Sequence, residues 1–395
     1  MRAVFAVAVL AFAACTNAES TGLNEAPPNT DFGPAFEGQT RAPEAESGFD
    51  LEVAEVAVGL SHPWAIAILP DGRLLISERS GRLRLVDHVG AVSAPVEGLP
   101  PVDARDQGGL LDVALSPNFA SDRLVYWSYA EPRGGENNGT SVARGRLSED
   151  ATRIEAATVI FRQTPDWRST GHYGGALAFD RDGRLFIALG ERQRSRPRRL
   201  AQDVSTLLGK VVRIEADGAV AADNPFVGQN GARGEIWSYG HRNPQGAAIH
   251  PETGALWTIE HGPQGGDELN IAAPGRNYGW PIISYGEEYG GEPIGQGLAV
   301  REGMEQPVYY WDPVIAPGDM IFYQGDLFPW RGDLLIAGLR SRALVRLRLD
   351  GARVVGEERF DLGARVRDVE QAADGALWVV TDEDDGRLLR LTPRR

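Results

Sequence analysis

The sequence predicts an all-β protein, a six-bladed β-propeller, on three observations. An apolar run, a tight polar turn and a second apolar run recur six times along the chain. The turns are Asp-Gly or close equivalents, which between strand-like runs signal hairpins. Helical periodicity is confined to the single stretch Ala201 to Leu208. Hairpins repeating every ~45–75 residues are what propeller blades require, whereas a doubly wound α/β fold needs helices between its strands.

The six copies begin with A-I-A-I-L-P-D-G-R-L-L-I-S at Ala65, V-A-L-S-P-N-F-A-S-D-R-L-V-Y-W-S at Val113 and A-L-A-F-D-R-D-G-R-L-F-I-A-L-G at Ala176. A-A-I-H-P-E-T-G-A-L-W-T-I-E follows at Ala247, a weaker copy spans Gly332 to Leu339, and V-E-Q-A-A-D-G-A-L-W-V-V-T-D closes the series at Val369. No Gly-rich loop follows a strand and opens a helix, so the sequence lacks a nucleotide-binding fingerprint.

The 395 residues carry a formal charge of -15, from 55 acidic against 40 basic side chains. That balance argues against nucleic acid or an anionic membrane surface as the main partner. Lys210 is the only lysine, so every other permanent side-chain cation is a guanidinium able to grip carboxylates in bidentate fashion.

Arg2 precedes an apolar run, Ala3 to Ala14, which ends at Cys15, the only cysteine. The run is too short to span a bilayer and reads as an export signal over residues 1–15. Phe12-Ala13-Ala14-Cys15 resembles a bacterial lipobox, so the expectation is an exported protein, periplasmic or held at the envelope by a lipid on Cys15. Residues 16–49, rich in Pro, Gly, Glu, Asn and Thr, are expected to form a disordered linker, with the propeller occupying residues 50–395.

Chemistry-bearing residues concentrate between Glu235 and Pro281. Arg242, Asn243, Glu260, His261, Asp267 and Glu268 fall within 27 residues, at the ends of two strand-like runs. Loop ends on a rigid sheet are where binding groups usually lie.

Seven motifs in order then carry a resemblance: Q-G-G-L-L-D-V-A-L at Gln107, G-H-Y-G-G at Gly171, L-G-K-V-V-R-I at Leu208, G-H-R-N-P-Q-G at Gly240, E-H-G-P-Q-G-G-D-E-L-N at Glu260, N-Y-G-W-P at Asn277 and R-V-R-D-V at Arg365. From about residue 50 to the C-terminus the chain resembles the soluble aldose (glucose/sorbosone-type) sugar dehydrogenases that depend on pyrroloquinoline quinone (PQQ).

The resemblance implies oxidation of the C1 hydroxyl of an aldose to a lactone, with electrons passed to an external dye, quinone or cytochrome-type acceptor. His172 matches the family's general base, and a near-neutral imidazole is suited to taking a hydroxyl proton. Arg242 and Asn243 match positions against the quinone, where a guanidinium stabilises developing negative charge. Arg365 and Arg367 match contacts to the cofactor's carboxylates. His261 and Arg340 join this cofactor-side set, while Gln107 and Tyr289 match cofactor-side or substrate-side positions. The main-chain oxygens of Gly262 and Pro263 match ligands of the calcium that bridges protein and quinone, and Glu268 and Tyr278 match a further calcium position.

Three departures from the family pattern bear on substrate preference. Arg340 stands where Lys is common, Ala176 replaces Arg after the His-Tyr-Gly-Gly turn, and Gly190-Glu191 replaces Gly-Asp, with an Arg-rich insert running from Glu191 to Arg199. Two other readings suit the same fold: a calcium-dependent lactonase-type hydrolase and a cofactor-free envelope binding protein. Neither needs Arg242, Arg365 and Arg367 converging on a tricarboxylate.

Overall fold

The computed structural model describes residues 26–394, and the leader with Cys15 lies outside them. Five of the six phrases form the two inner strands of one sheet, and the weaker copy over Gly332 to Leu339 supplies only the second strand of its sheet. Blade I is built from Pro63–Ile68, Leu74–Glu78 and Arg82–Val86, and blade II from Leu110–Leu115, Leu124–Pro132, Asn138–Leu147 and Ile154–Arg162. Blade III comprises Gly174–Phe179, Leu185–Leu189, Lys210–Ile214 and Ile236–Tyr239, and blade IV comprises Pro244–Ile249, Leu256–Glu260, Asp267–Ile271 and Tyr309–Trp311. Pro317–Phe322, Leu334–Gly338, Ala343–Asp350 and Arg353–Asp361 make blade V; Val366–Gln371, Leu377–Thr381 and Gly386–Pro393 make most of blade VI.

The ring closes by strand exchange between the chain ends. Leu51–Leu60 pairs antiparallel with Gly386–Pro393, Val53 opposite Leu391, and so supplies the outer strand of blade VI. Neighbouring inner strands pack against one another in cyclic order, blade VI against blade I included. Between blades IV and V, Trp257 meets Phe322 edge-on at 5.5 Å. Burying such a side chain stabilises by ~1.5–3 kcal/mol, and the inner strands are apolar enough to repeat this around the ring.

Aspartates stitch the inner strands together. Asp112 in blade II accepts the Leu177 amide of blade III at 2.6 Å, and Asp368 in blade VI accepts the Ile66 amide of blade I at 2.6 Å. Asp319 in blade V accepts the Ala247 amide of blade IV at 3.3 Å. Burial raises Asp112 to about 8 and Asp368 to about 7, so these groups hold their protons far above the ordinary carboxylate range. The strands also approach closely: a Cβ on Gly318 would lie 2.0 Å from the Arg367 carbonyl oxygen, so only glycine fits there.

Two expectations are corrected. Residues 26–49 are not a free tether but pack on the outer edges of blades IV and V. Tyr310 donates its amide to the Gln39 carbonyl at 2.9 Å, Ala45 donates to Glu357 at 2.8 Å, and the Asn29 and Thr30 amides reach the Asp312 carboxylate at 2.9 and 3.0 Å. Outermost strands expose unpaired backbone groups, and this segment satisfies them despite its polar composition. The helix expected over Ala201 to Leu208 is also absent: a four-residue 3₁₀ turn spans Arg199–Gln202. Its apolar residues face the blade as a loop, with the Leu207 amide held by the Thr164 carbonyl at 2.8 Å.

Candidate active site

Register places the site. The first residues of the inner strands lie beside the ends of the second strands: Pro63 pairs with Glu78, Gly174 with Leu189, Pro244 with Glu260, Pro317 with Gly338 and Val366 with Thr381. His172, Arg242 with Asn243, and Arg365 with Arg367 immediately precede or open three of these inner strands, so residues up to 195 positions apart in sequence reach one end of the propeller.

His172 is buried and sits in the left-handed region at φ 49, and Gly174 and Gly175 continue the turn at φ 66 and 116. Its amide donates to Gln107 Oε1 at 2.9 Å, and its Nδ1 lies 3.0 Å from Glu191 Oε1. A proton on Nδ1, donated to that carboxylate, leaves the Nε2 lone pair free. Burial, then the nearby positive charge of Arg242, lowers the His172 pKa to about 4. The imidazole is therefore neutral at physiological pH and competent to accept a proton. Arg192 fixes the segment from below, lying 3.6 Å over the Tyr173 ring and donating to the Gly171 and Ser169 carbonyls at 2.8 Å. A Cβ on Gly190 would lie 2.1 Å from the His172 carbonyl oxygen, which explains glycine at that point.

Glu260 organises the neighbouring corner. Its Oε2 accepts the Arg242 amide at 2.6 Å and the Asn243 amide at 3.3 Å, while its Oε1 accepts from His241 Nδ1 at 3.0 Å. Arg242 donates through Nη1 to the His261 carbonyl at 2.9 Å and lies 5.2 Å over the Trp280 ring. Its Nε is buried without a partner. Asn243 Oδ1 accepts the Gly174 amide at 3.0 Å, tying this corner to the His172 turn. His261, its pKa lowered to about 3 by burial and then by Arg367, Arg242 and His172, donates Nε2–H to the Pro317 carbonyl at 2.7 Å.

On blade VI, Arg367 is buried over the Trp64 ring at 4.0 Å and bonds Asp382 Oδ2 at 3.0 Å and Gln245 Oε1 at 3.2 Å. Arg365, half exposed, reaches the same Asp382 oxygen at 3.6 Å, and His62 Nδ1 lies 2.8 Å from its other oxygen. The Arg367 Nε has no partner, like that of Arg242. Two buried guanidinium N–H groups left unsatisfied, with a third, half-exposed guanidinium beside them, fit a ligand bearing several carboxylates.

The residues expected to hold calcium meet a similar test. Gly262, Pro263, Glu268 and Tyr278 line one small cavity with Glu260 and Trp280. Among the described residues, no donor reaches the main-chain oxygens of Gly262, Pro263 or Tyr278. Burial and the proximity of Glu260 push the Glu268 pKa well above the usual carboxylate range. Uncommitted carbonyl oxygens beside a buried carboxyl with no cationic partner among the described residues suit a hard cation, which would take the place of that carboxyl's proton. The Tyr278 hydroxyl is committed to the Ala273 amide and the Ile271 carbonyl, so its main-chain oxygen is the atom left to offer.

Other assignments move. Gln107 orients the His172 backbone through its side-chain oxygen, and His261 orients Arg242 through its carbonyl. Tyr289 is 70% exposed on the long connection between the third and outer strands of blade IV and makes no hydrogen bond or ion pair among the described residues. Arg340 is exposed at the end of blade V, with its amide on the Ile315 carbonyl at 2.9 Å. Glu191, Gln245 and Asp382 were not singled out as site residues in the sequence. Glu191 stood out as a departure, whereas nothing local distinguishes Asp382 from the adjacent Glu383 and Asp384.

A six-bladed propeller whose one end gathers a neutral buried histidine, unsatisfied arginines and free carbonyl oxygens defines a cofactor-binding class of the fold. The glucose/sorbosone dehydrogenase family model matches residues 60–390, and the chain belongs to that family. It is 46% identical over 340 residues to the aldose sugar dehydrogenase YliI of Escherichia coli K12, covering 85% of this chain and 91% of that protein. The apo crystal structure of the soluble E. coli aldose sugar dehydrogenase superposes with a TM-score of 0.84 at 45% identity, covering 87% of this chain and 100% of the other. The PQQ-bound aldose sugar dehydrogenase of Streptomyces coelicolor gives a TM-score of 0.74 at 32% identity, covering 88% and 99% respectively.

Proposed function

We propose that this protein is an exported, PQQ- and calcium-dependent dehydrogenase that oxidises the C1 hydroxyl of aldoses to lactones and passes the electrons to an external acceptor. The observation that carries the reading is His172: neutral, held by Glu191, and adjacent to an arginine whose Nε lacks a partner. Arg365 and Arg367 would hold cofactor carboxylates, and the oxygens of Gly262 and Pro263 would hold calcium, with Glu268 and Tyr278 at a further calcium. When bound, the quinone supplies the two-electron acceptor for the C1 hydrogen and its electron pair.

The chain's own residues do the rest. His172 Nε2 takes the C1 hydroxyl proton, and Glu191 stabilises the resulting imidazolium through Nδ1–H. Arg242 offers its free N–H to an oxygen that gains negative charge. Trp280 packs against Arg242, its ring 5.2 Å from the guanidinium, and helps hold that side chain in place.

Apoprotein incubated with the quinone and calcium should gain quinone absorbance and reduce a phenazine dye when given aldoses, and chelation should remove both. Failure to bind micromolar quinone with calcium present would defeat this reading, and lactone hydrolysis without dye reduction would favour a hydrolase. Export is read from Arg2 and the apolar run ending at Cys15. Mass spectrometry of the mature N-terminus should find an acylated Cys15; a chain starting beyond it without acyl mass would mean a free periplasmic enzyme.

A further inference from the structure

We infer that the Arg-rich segment Arg194–Arg199 is the docking face for an acidic one-electron carrier protein, which collects the electrons at the mouth of the site. The inference rests on the dehydrogenase reading. The segment begins where Glu191 leaves His172, and it forms a short helix, Ser195–Arg198, running into the turn Arg199–Gln202.

Its charges fall into two sets. Arg198 pairs with Glu288 and lies 5.2 Å over the Trp280 ring, the same ring that Arg242 covers at 5.2 Å, so it belongs to the wall of the site. Arg194, Arg196 and Arg199 are exposed, and none has a carboxylate partner among the described residues. Arg196 lies over the Trp167 ring at 5.7 Å, a different ring from the one Arg198 covers. Three exposed positive charges without a carboxylate partner thus fall within six residues, next to Arg198, which rests on another ring.

That layout separates the possible anions. A neutral aldose gains nothing from it. A small anion needs donors converging on it, and Arg194, Arg196 and Arg199 share no common partner among the described residues, whereas separate exposed guanidiniums suit the face of a macromolecule. Each sugar oxidised leaves two electrons and two protons to remove. Two oxidised carriers take one electron each in successive encounters, and the protons go to solvent. Such encounters are brief, small in area and governed by charge. With a net charge of -15, the rest of the surface repels an acidic carrier, so the local positive rim orients it toward the site.

The test uses full-length holoenzyme and the variant R194Q/R196Q/R199Q, with an acidic c-type cytochrome, a basic cytochrome c and hexacyanoferrate(III) as acceptors. At low ionic strength the variant should reduce the acidic cytochrome about 10-fold more slowly in kcat/KM. The basic cytochrome should be unaffected or faster, the sugar kcat/KM with a phenazine dye unchanged, and the difference should vanish at high salt. Calorimetric titration of apoprotein with the acidic cytochrome should show a comparable loss of affinity, independent of turnover. Equal rates and affinities in parent and variant would overturn the proposal, as would an equal loss with both cytochromes. A loss seen with hexacyanoferrate alone would point to a small anion and overturn it too. If the parent reduces no acceptor at all, the dehydrogenase reading fails while the apoprotein titration still decides the docking face.

Discussion

His172→Gln should lower kcat by ~10²–10⁴-fold, the usual consequence of removing a general base, while leaving the fold and quinone affinity in place. That loss corresponds to roughly 3–5.5 kcal/mol of transition-state stabilisation. It belongs in kcat because the proton moves only as C1 is oxidised, so the ground state gains little from the base. Gln preserves most of the volume in the pocket between Gln107 and Glu191 and keeps an amide N–H for the Glu191 carboxylate.

The pH dependence follows from burial. With its pKa lowered to about 4, His172 loses its proton as pH rises through 4, and the parent's rate should climb there to a plateau, a limb that the variant lacks. The same shift acts on stability. Between pH ~6.5 and ~4 the unfolded chain takes up a proton on this histidine that the folded chain refuses. This contribution to stability is complete above pH ~6.5 and is lost as pH falls through that window. Steady-state kcat from pH 3.5 to 8 on holoenzyme decides the matter: a variant with parental kcat would show that another group takes the proton.

The second large effect is expected on blade VI. Arg365→Ala, at a half-exposed position, should weaken quinone binding roughly 10- to 150-fold through one lost charge-assisted contact worth ~1.5–3 kcal/mol, with little change in Tm. Arg367→Ala should lose as much affinity and also unfold earlier. It empties the space over Trp64 and strips the nearest cation from buried Asp382. Breaking a buried pair costs up to ~3–5 kcal/mol, and here less, because Arg365 and His62 remain on Asp382. Quinone titration and thermal unfolding of both variants separate the two roles. Parental quinone affinity in Arg365→Ala would remove that residue from the cofactor site.

Much of this was legible in the chain because it is local. Apolar runs around tight polar turns marked the inner hairpins of five blades, whose innermost strands are the first arms of those hairpins, while in blade V the weaker copy marked the second strand and left Pro317–Phe322 unread. His172, Arg242, Arg367 and Gly262 could be named because each sits in a short Gly-containing or charged motif at a strand end. The outer strands were less visible. Leu51–Leu60 and Tyr309–Trp311 take their pairing from chain far away in sequence.

Composition misled where an edge was waiting to be covered. Residues 26–49 read as disordered because they lack apolar periodicity, yet their backbone groups bond the outer strands of blades IV and V. A polar segment can be ordered by partners it does not encode.

The sequence by itself determined the blade count, the strand ends and the residue types of the site, since hairpins and turns depend on side chains within a dozen positions of one another. Only the tertiary structure decided the partners: Glu191 on His172, Glu260 under Arg242, Asp382 between Arg365, Arg367 and His62. The physical reason is ring closure, which brings the strand ends of separate blades within hydrogen-bond reach and excludes water from them. Proton affinity and charge at this site are set by those neighbours and by that burial, neither of which is a property of any short stretch of chain.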